Sequence, residues 1–306
     1  MMKQRVLSLL SSTTEIIYAL GCGDRLVGRS HECDYPEEVS ELPICTIPKF
    51  NVDGTSREVD DEVKSLVQSA LSIYYINEKL LKELKPDIIF TQSQCEVCAV
   101  SVSDVENALK NITGLSSRVI SVEPNSVEDI FNDILTIAEI LNVRKKGKEL
   151  VELIKAKIDS TEKIVYQKSS PSVAAIEWID PLMAAGNWVP QLIRVAGGKN
   201  LFGEAGKHSP WMKYNDLVEQ DPEIIIVMPC GYDIKKSLIE IKTLESKKGW
   251  GSLKAVRNRN VYITDGNQFF NRPGPRIIES LEILLEIIHS DFSESKHIDS
   301  GWIKLN

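Results

Sequence analysis

The stretch Pro86-Asp87-Ile88-Ile89-Phe90, followed by Thr91-Gln92-Ser93-Gln94 and Cys95-Glu96-Val97-Cys98-Ala99, decides the fold. Three apolar residues in succession behind a proline read as a strand buried on both faces. A polar loop with cysteines in C-x-x-C spacing leaves its carboxyl end, the edge where open α/β sheets bind ligands.

The same unit recurs on either side. Arg5–Leu10 reads as a strand, and Ser11-Ser12-Thr13-Thr14-Glu15 as the cap of a helix carrying Ile16, Ile17, Ala19 and Leu20 at helical spacing. Gly21 and Gly23 close that helix. Leu26-Val27-Gly28 reads as a strand, and the loop Ser30-His31-Glu32-Cys33-Asp34-Tyr35-Pro36 leaves its end. Helices are expected from about Asp60 to Ser72 and over Glu78–Leu84, and a strand over Val119–Val122. The second half repeats the pattern: strands Val173–Ile176, Ile224–Val227 and Val261–Ile263, and helices Asn187–Ala196 and Arg276–His289.

Between the halves, Val143 to about Tyr166 keeps helical periodicity through Leu150, Leu153, Ile154 and Ile158. A helix of that length needs two bodies to lie against. The expected organisation is therefore α/β: a first lobe over 1–142, a linking helix over 143–168 and a second lobe over 169–306. Both lobes carry mainly parallel sheets, and their polar strand ends face a ligand cleft between them.

Composition narrows the function. The 306 residues are 42% hydrophobic and 26% charged, ordinary for a globular chain able to bury a substantial core. A formal charge of -8 with no basic face argues against nucleic acid. Arg144, Lys145, Lys146 and Lys148 read as a solvated helix start. No segment has the length of a membrane helix, and Val6-Leu7-Ser8-Leu9-Leu10 is too short for a signal core, so a cytoplasmic location is expected. The six cysteines then stay reduced.

His31, Cys33, Cys95 and Cys98 fall on first-lobe strand-end loops, and imidazole with thiolates is a donor set for zinc, iron or a similar transition metal. The plainer alternative makes each cysteine a small buried hydrophobe, and a redox dithiol at Cys95 and Cys98 is a third use. Cys230 is a possible donor from the other lobe; Cys22 and Cys45 read as structural. In the second lobe Trp178, Trp188, Trp211, Tyr232, Phe269 and Phe270 lie in or beside strand-end loops, as a ligand platform would. Glu177, Asp180, Asp265, Arg272 and Arg276 are the charged groups nearby. The strand-end cleft with its aromatics leads to the expectation of a binding protein, and no nucleophile–base pair has recognisable spacing; the alternative is a metal- or thiol-dependent enzyme.

The order of Ser11-Ser12-Thr13-Thr14-Glu15, Leu84-Lys85-Pro86-Asp87, Ala196-Gly197-Gly198-Lys199-Asn200-Leu201-Phe202, Ser209-Pro210-Trp211 and Pro275-Arg276 resembles the cobalamin-binding branch of class III periplasmic-type binding proteins. The resemblance implies two Rossmann-like lobes joined by one rigid helix, with a corrinoid or related metal chelate between them. It implies Trp211 as an aromatic wall, and Asp265, Phe269 and Phe270 as the loop at the ligand edge. The first-lobe tryptophan of that branch has no counterpart: Ile73 falls near it, with Tyr74 and Tyr75 adjacent. The glutamates with which such proteins dock on an ABC transporter permease fall at Lys79 and Leu217, which weakens the transport reading. The Ser30–Pro36 loop, the C-x-x-C and Trp178-Ile179-Asp180-Pro181 are closest to a signal-less cytosolic subgroup.

Overall fold

Strand Val6–Ser8 (β1) is fully buried, as an apolar run inside a parallel sheet must be. In the computed structural model, which describes residues 3–69, 73–92, 101–110, 116–291 and 295–305, the chain forms two compact units. The first comprises Met1–Gly54, Glu58–Pro124 and Glu128–Val151; the second comprises Thr55–Arg57, Asn125–Val127 and Glu152–Asn306.

After β1 the first unit continues through α1 (Ser11–Ala19), β2 (Leu26–Arg29), β3 (Thr46–Pro48), α2 (Ser56–Gln68), β4 (Tyr74–Ile76), α3 (Glu78–Leu84), β5 (Ile88–Gln92), α4 (Val102–Lys110), β6 (Arg118–Val122), α5 (Val127–Ile140) and α6 (Arg144–Val165), with Ser56, Arg57, Val127 and the part of α6 from Glu152 onward counted in the second unit. Its main sheet has the order β2-β1-β5-β6, all parallel, and β3 pairs antiparallel with β4. Leu7, Leu9, Ile89, Tyr74, Leu81 and Val105 share its core.

The second unit holds β7 (Ser172–Trp178), β8 (Met183–Ala184), α7 (Val189–Val195), β9 (Lys199–Asn200), α8 (Tyr214–Gln220), β10 (Ile224–Val227), α9 (Ile234–Glu240), α10 (Lys242–Glu245), α11 (Lys254–Arg257), β11 (Val261–Thr264), α12 (Ile277–Ile288) and β12 (Trp302–Lys304). The sheet order is β12-β11-β10-β7-β8, with β9 also on β7. Strands β7, β10 and β11 are parallel, whereas β8 and β12 run antiparallel to their neighbours. All four residues of β10 are buried, and each such aliphatic contributes about 1.5–3 kcal/mol.

The expected parallel sheets and their alternating helices are present, and the differences are local. Ser11–Thr14 form the first turn of α1 instead of its cap: Leu10 is the cap residue, and Thr13 Oγ1 turns back to donate to the Leu10 carbonyl at 3.2 Å. Helix α2 starts at Ser56, earlier than expected. The basic cluster that opens α6 is not purely solvated, since Lys146 Nζ donates to the Leu20 carbonyl at 3.0 Å, closing the end of α1. Strand β12 has no sequence signature and follows from pairing with β11.

Candidate functional site

The carboxyl ends of β7, β10 and β11 lie side by side in the second unit, so their loops share one edge. Strand β7 reaches that edge through a bulge. Ile176 pairs with Ala184 and Trp178 with Met183, leaving Glu177 as the extra residue. A bulge of this kind re-aims side chains at the end of a sheet. Both Glu177 carboxylate oxygens lie 2.9 Å from the Ser209 hydroxyl, which in turn accepts the Gly186 amide at 3.0 Å. Gly186 is obligatory for that approach, because a Cβ there would stand 2.5 Å from the Ser209 nitrogen.

The pairing continues outward: Met183 bridges antiparallel to Trp211. Trp178, Met183 and Trp211 therefore form one cross-strand row, and lateral neighbours in a sheet share a face. Trp211 is 57% exposed. The Trp178 ring lies 5.2 Å from that of Tyr232, whose face carries the Lys236 ammonium at 3.8 Å. The Trp178 indole N–H is buried with no hydrogen-bond partner.

The loop after β11 opens with Asp265, which caps a wide helical turn over Gly266–Phe270 by accepting the Gln268 amide at 2.8 Å and the Gln268 side chain at 3.1 Å. Burial pushes the Asp265 carboxyl above the usual range, and Arg272 partly opposes the shift. This loop is fastened to the end of β10: the Asn267 amide donates to the Tyr232 carbonyl at 3.1 Å and Asn271 Nδ2 to the Met228 carbonyl at 3.3 Å. A Cβ on Gly266 would meet the Pro229 carbonyl at 2.2 Å.

The structure thus brings together Glu177, Trp178, Trp211 and Tyr232, and joins to them the loop of Asp265, Phe269, Phe270 and Arg272. Their exposure differs from the sequence-based picture. Phe270 is 1% exposed, Phe269 lies beneath Arg276 at 4.6 Å, and Arg272 is buried. Trp188 is enclosed where it caps α7. Position beside Gly or Pro marks a loop but does not say which way the ring turns. Ser209, Met183 and Lys236 escaped sequence reasoning as site residues, because strand pairing places Met183, a link to Glu177 places Ser209 and the Tyr232 ring places Lys236, all contacts without a local pattern.

In the first unit His31 and Cys33 do occupy the loop after β2, whereas Cys95 and Cys98 lie outside the described residues. Thr46 Oγ1 accepts the His31 amide at 3.1 Å and stands 2.9 Å from His31 Nδ1. Burial, helped by Arg29, lowers the His31 imidazole to about 4. Cys33 is buried and accepts a hydrogen bond from Thr14 at 3.2 Å. Cys22 and Cys45 are buried as well, and burial pushes the Cys45 thiol up to about 12. Cys230 is half-buried in the loop after β10. Among the described residues no group of His, Cys, Asp and Glu has metal-binding geometry.

Residues 6–267 match the family model described as periplasmic binding protein. The chain belongs to the periplasmic binding protein family. It is 26% identical over 297 residues to the uncharacterized ABC transporter substrate-binding lipoprotein YvrC of Bacillus subtilis, covering 94% of this chain and 81% of that protein. It is 23% identical over 287 residues to the vitamin B12-binding protein of Vibrio parahaemolyticus, covering 91% of this chain and 86% of that protein. Among solved structures, the fold is shared with a periplasmic heme binding protein from Pseudomonas aeruginosa at TM-score 0.73 and 17% identity, covering 99% and 98% of the two chains. As a periplasmic binding protein of the substrate-binding type, the chain gives the enzyme alternative no support.

Proposed function

We propose that this chain is the substrate-binding component for a corrinoid, or a similar planar metal chelate, received at the carboxyl edge of its second unit. The observation that carries the reading is the row Trp178–Met183–Trp211 with Tyr232 against Trp178. A flat macrocycle offers a broad apolar face, and indole rings supply on the order of 150–250 Å² of contact each. The named function of the vitamin B12-binding relatives supports the ligand class.

The charges around the row select among planar chelates. Glu177 stands at its edge beside Trp178, while Asp265 and Arg272 are both buried and the Lys236 ammonium lies over the Tyr232 ring. Carboxylates accept hydrogen bonds from amide N–H groups and repel carboxylates. A macrocycle edged with amides is therefore matched better than one edged with propionates. The partner that follows is an ABC transporter permease. Location is a proposal of the same order: the sequence-based expectation is cytoplasmic, the Bacillus subtilis relative is named a lipoprotein, and cell fractionation decides between them.

Absorbance titration with dicyanocobinamide, cyanocobalamin and haemin tests the reading. The corrinoids are expected to bind more tightly than haemin, and W178A or W211A to weaken them by about tenfold, about 1.4 kcal/mol. Wild-type protein that gives neither a spectral change nor heat with either corrinoid overturns it.

A further inference from the structure

The C-terminal residues beyond the family match are built into the ligand loop. Residues 295–305 form a strap whose strand β12 pairs antiparallel with β11, Thr264 opposite Trp302. The strap is anchored on α12 by Glu286, a carboxylate only 6% exposed. It accepts three donors: the Lys296 amide at 2.9 Å, the His297 amide at 3.3 Å and the Trp302 indole N–H at 2.7 Å. A second brace lies one turn away. His297 Nε2 stands 3.1 Å from Glu282, which also holds Lys157 at 2.5 Å.

From that anchorage the strap reaches the loop at two points. The Gly301 carbonyl accepts the Asp265 amide at 2.9 Å, fixing the first residue after β11. The His297 ring lies edge-on to Phe269 at 6.1 Å between centroids, on the ring that also carries Arg276. The strap is pressed close to α12 there, since a Cβ on Gly301 would stand 2.8 Å from Ile283 Cδ1. Three donors converging on one buried carboxylate cost desolvation unless all are satisfied, so the arrangement tolerates one geometry.

We propose that Glu286 and His297 are positioning residues: through the strap they set the conformation of the Asp265–Arg272 loop and hence its fit to ligand. This rests on the proposed function for the second part only, because the coupling between strap and loop exists with or without ligand. The donors that Glu286 accepts all belong to the strap, and it acts through Gly301 and His297.

The test uses the full chain and two readouts. Amide exchange followed by mass spectrometry reports the loop directly, through the amides of Asp265, Gln268 and Phe269. Absorbance titration with dicyanocobinamide reports the fit. In E286Q the carboxamide nitrogen faces donors and cannot accept them, so loop exchange is expected to accelerate about tenfold or more, with affinity falling about fivefold. H297Q keeps a hydrogen-bonding group toward Glu282 but loses the ring against Phe269, and a smaller change of the same sign is expected. I154V, a core change in α6, serves as the control for destabilisation alone; its loop exchange and affinity are expected to match wild type. Loop exchange in E286Q equal to that of I154V overturns the proposal. Faster exchange with unchanged cobinamide affinity overturns the ligand-fitting role. If the wild-type protein does not bind cobinamide, the proposed function fails, and the exchange result alone decides whether the strap positions the loop.

Discussion

Asp133 shows how a single half-buried carboxylate leaves a mark on the stability of the first unit. It lies on α5, and burial, with Asp129 and Glu123 nearby, raises its carboxyl to about 7 from an ordinary 3.8. The unfolded chain therefore ionises this group before the folded one does. Between about pH 4 and pH 7 the folded state binds more protons at this site, so stability falls as pH rises through that window and stays low above it. D133N removes the ionisation while keeping the shape. At pH 8 it is expected to be more stable than wild type by on the order of 1–2 kcal/mol in urea unfolding, and nearly equal at pH 4. Coincident pH profiles for the two proteins would show that water reaches the carboxylate freely in the folded state.

At the scale of elements, α12 illustrates both fit and legibility. Its apolar residues occupy almost every face, and Leu281, Ile283, Leu284 and Ile287 are all buried, as suits a helix inside a layer. It ends at His289, whose Nε2 lies 3.0 Å from the Ala196 carbonyl and so closes α7 as well. Burial lowers the His289 imidazole below its usual 6.5, and Lys168 adds to the shift while Ala196 and Asp291 oppose it. In the unfolded chain the ring protonates first, so this group's contribution is present above pH 6.5 and is lost as pH falls below it. H289Q can still donate to Ala196 but cannot protonate; its thermal midpoint is expected to fall less than that of wild type between pH 7 and pH 5, as scanning calorimetry would report. The contrast with the short strands explains what sequence could reveal. Ile224–Val227 and Ile88–Phe90 are continuous apolar runs buried on both faces, and such runs announce themselves. By comparison, β8, β9 and β12 exist only because a neighbour supplies their hydrogen bonds. Likewise Trp178 and Asp265 were legible because they stand at strand ends. The Glu177 bulge, the Ser209 link and the Glu286 anchor join residues far apart in sequence and leave no local pattern.

For the whole molecule, the two units each have their own hydrophobic core. A ligand received, as proposed, at the assembled edge of β7, β10 and β11 and not by the unfolded chain adds stability by mass action. At a free concentration about a hundred times Kd the gain is about 2.7 kcal/mol. For a unit of this size, about 2–4 °C of midpoint accompanies each kcal/mol, so dicyanocobinamide is expected to raise the thermal midpoint by about 5–10 °C. The rise should grow with the logarithm of ligand concentration and shrink in the W178A/W211A double variant, since both rings belong to the row proposed to receive the macrocycle. On the proposed reading, haemin at the same free concentration should give a smaller rise, because its propionates would be set against the Glu177 carboxylate. A midpoint unmoved by corrinoid across that range, in protein whose Trp178–Tyr232 pair is intact, would show that the aromatic row serves the packing of the second unit alone.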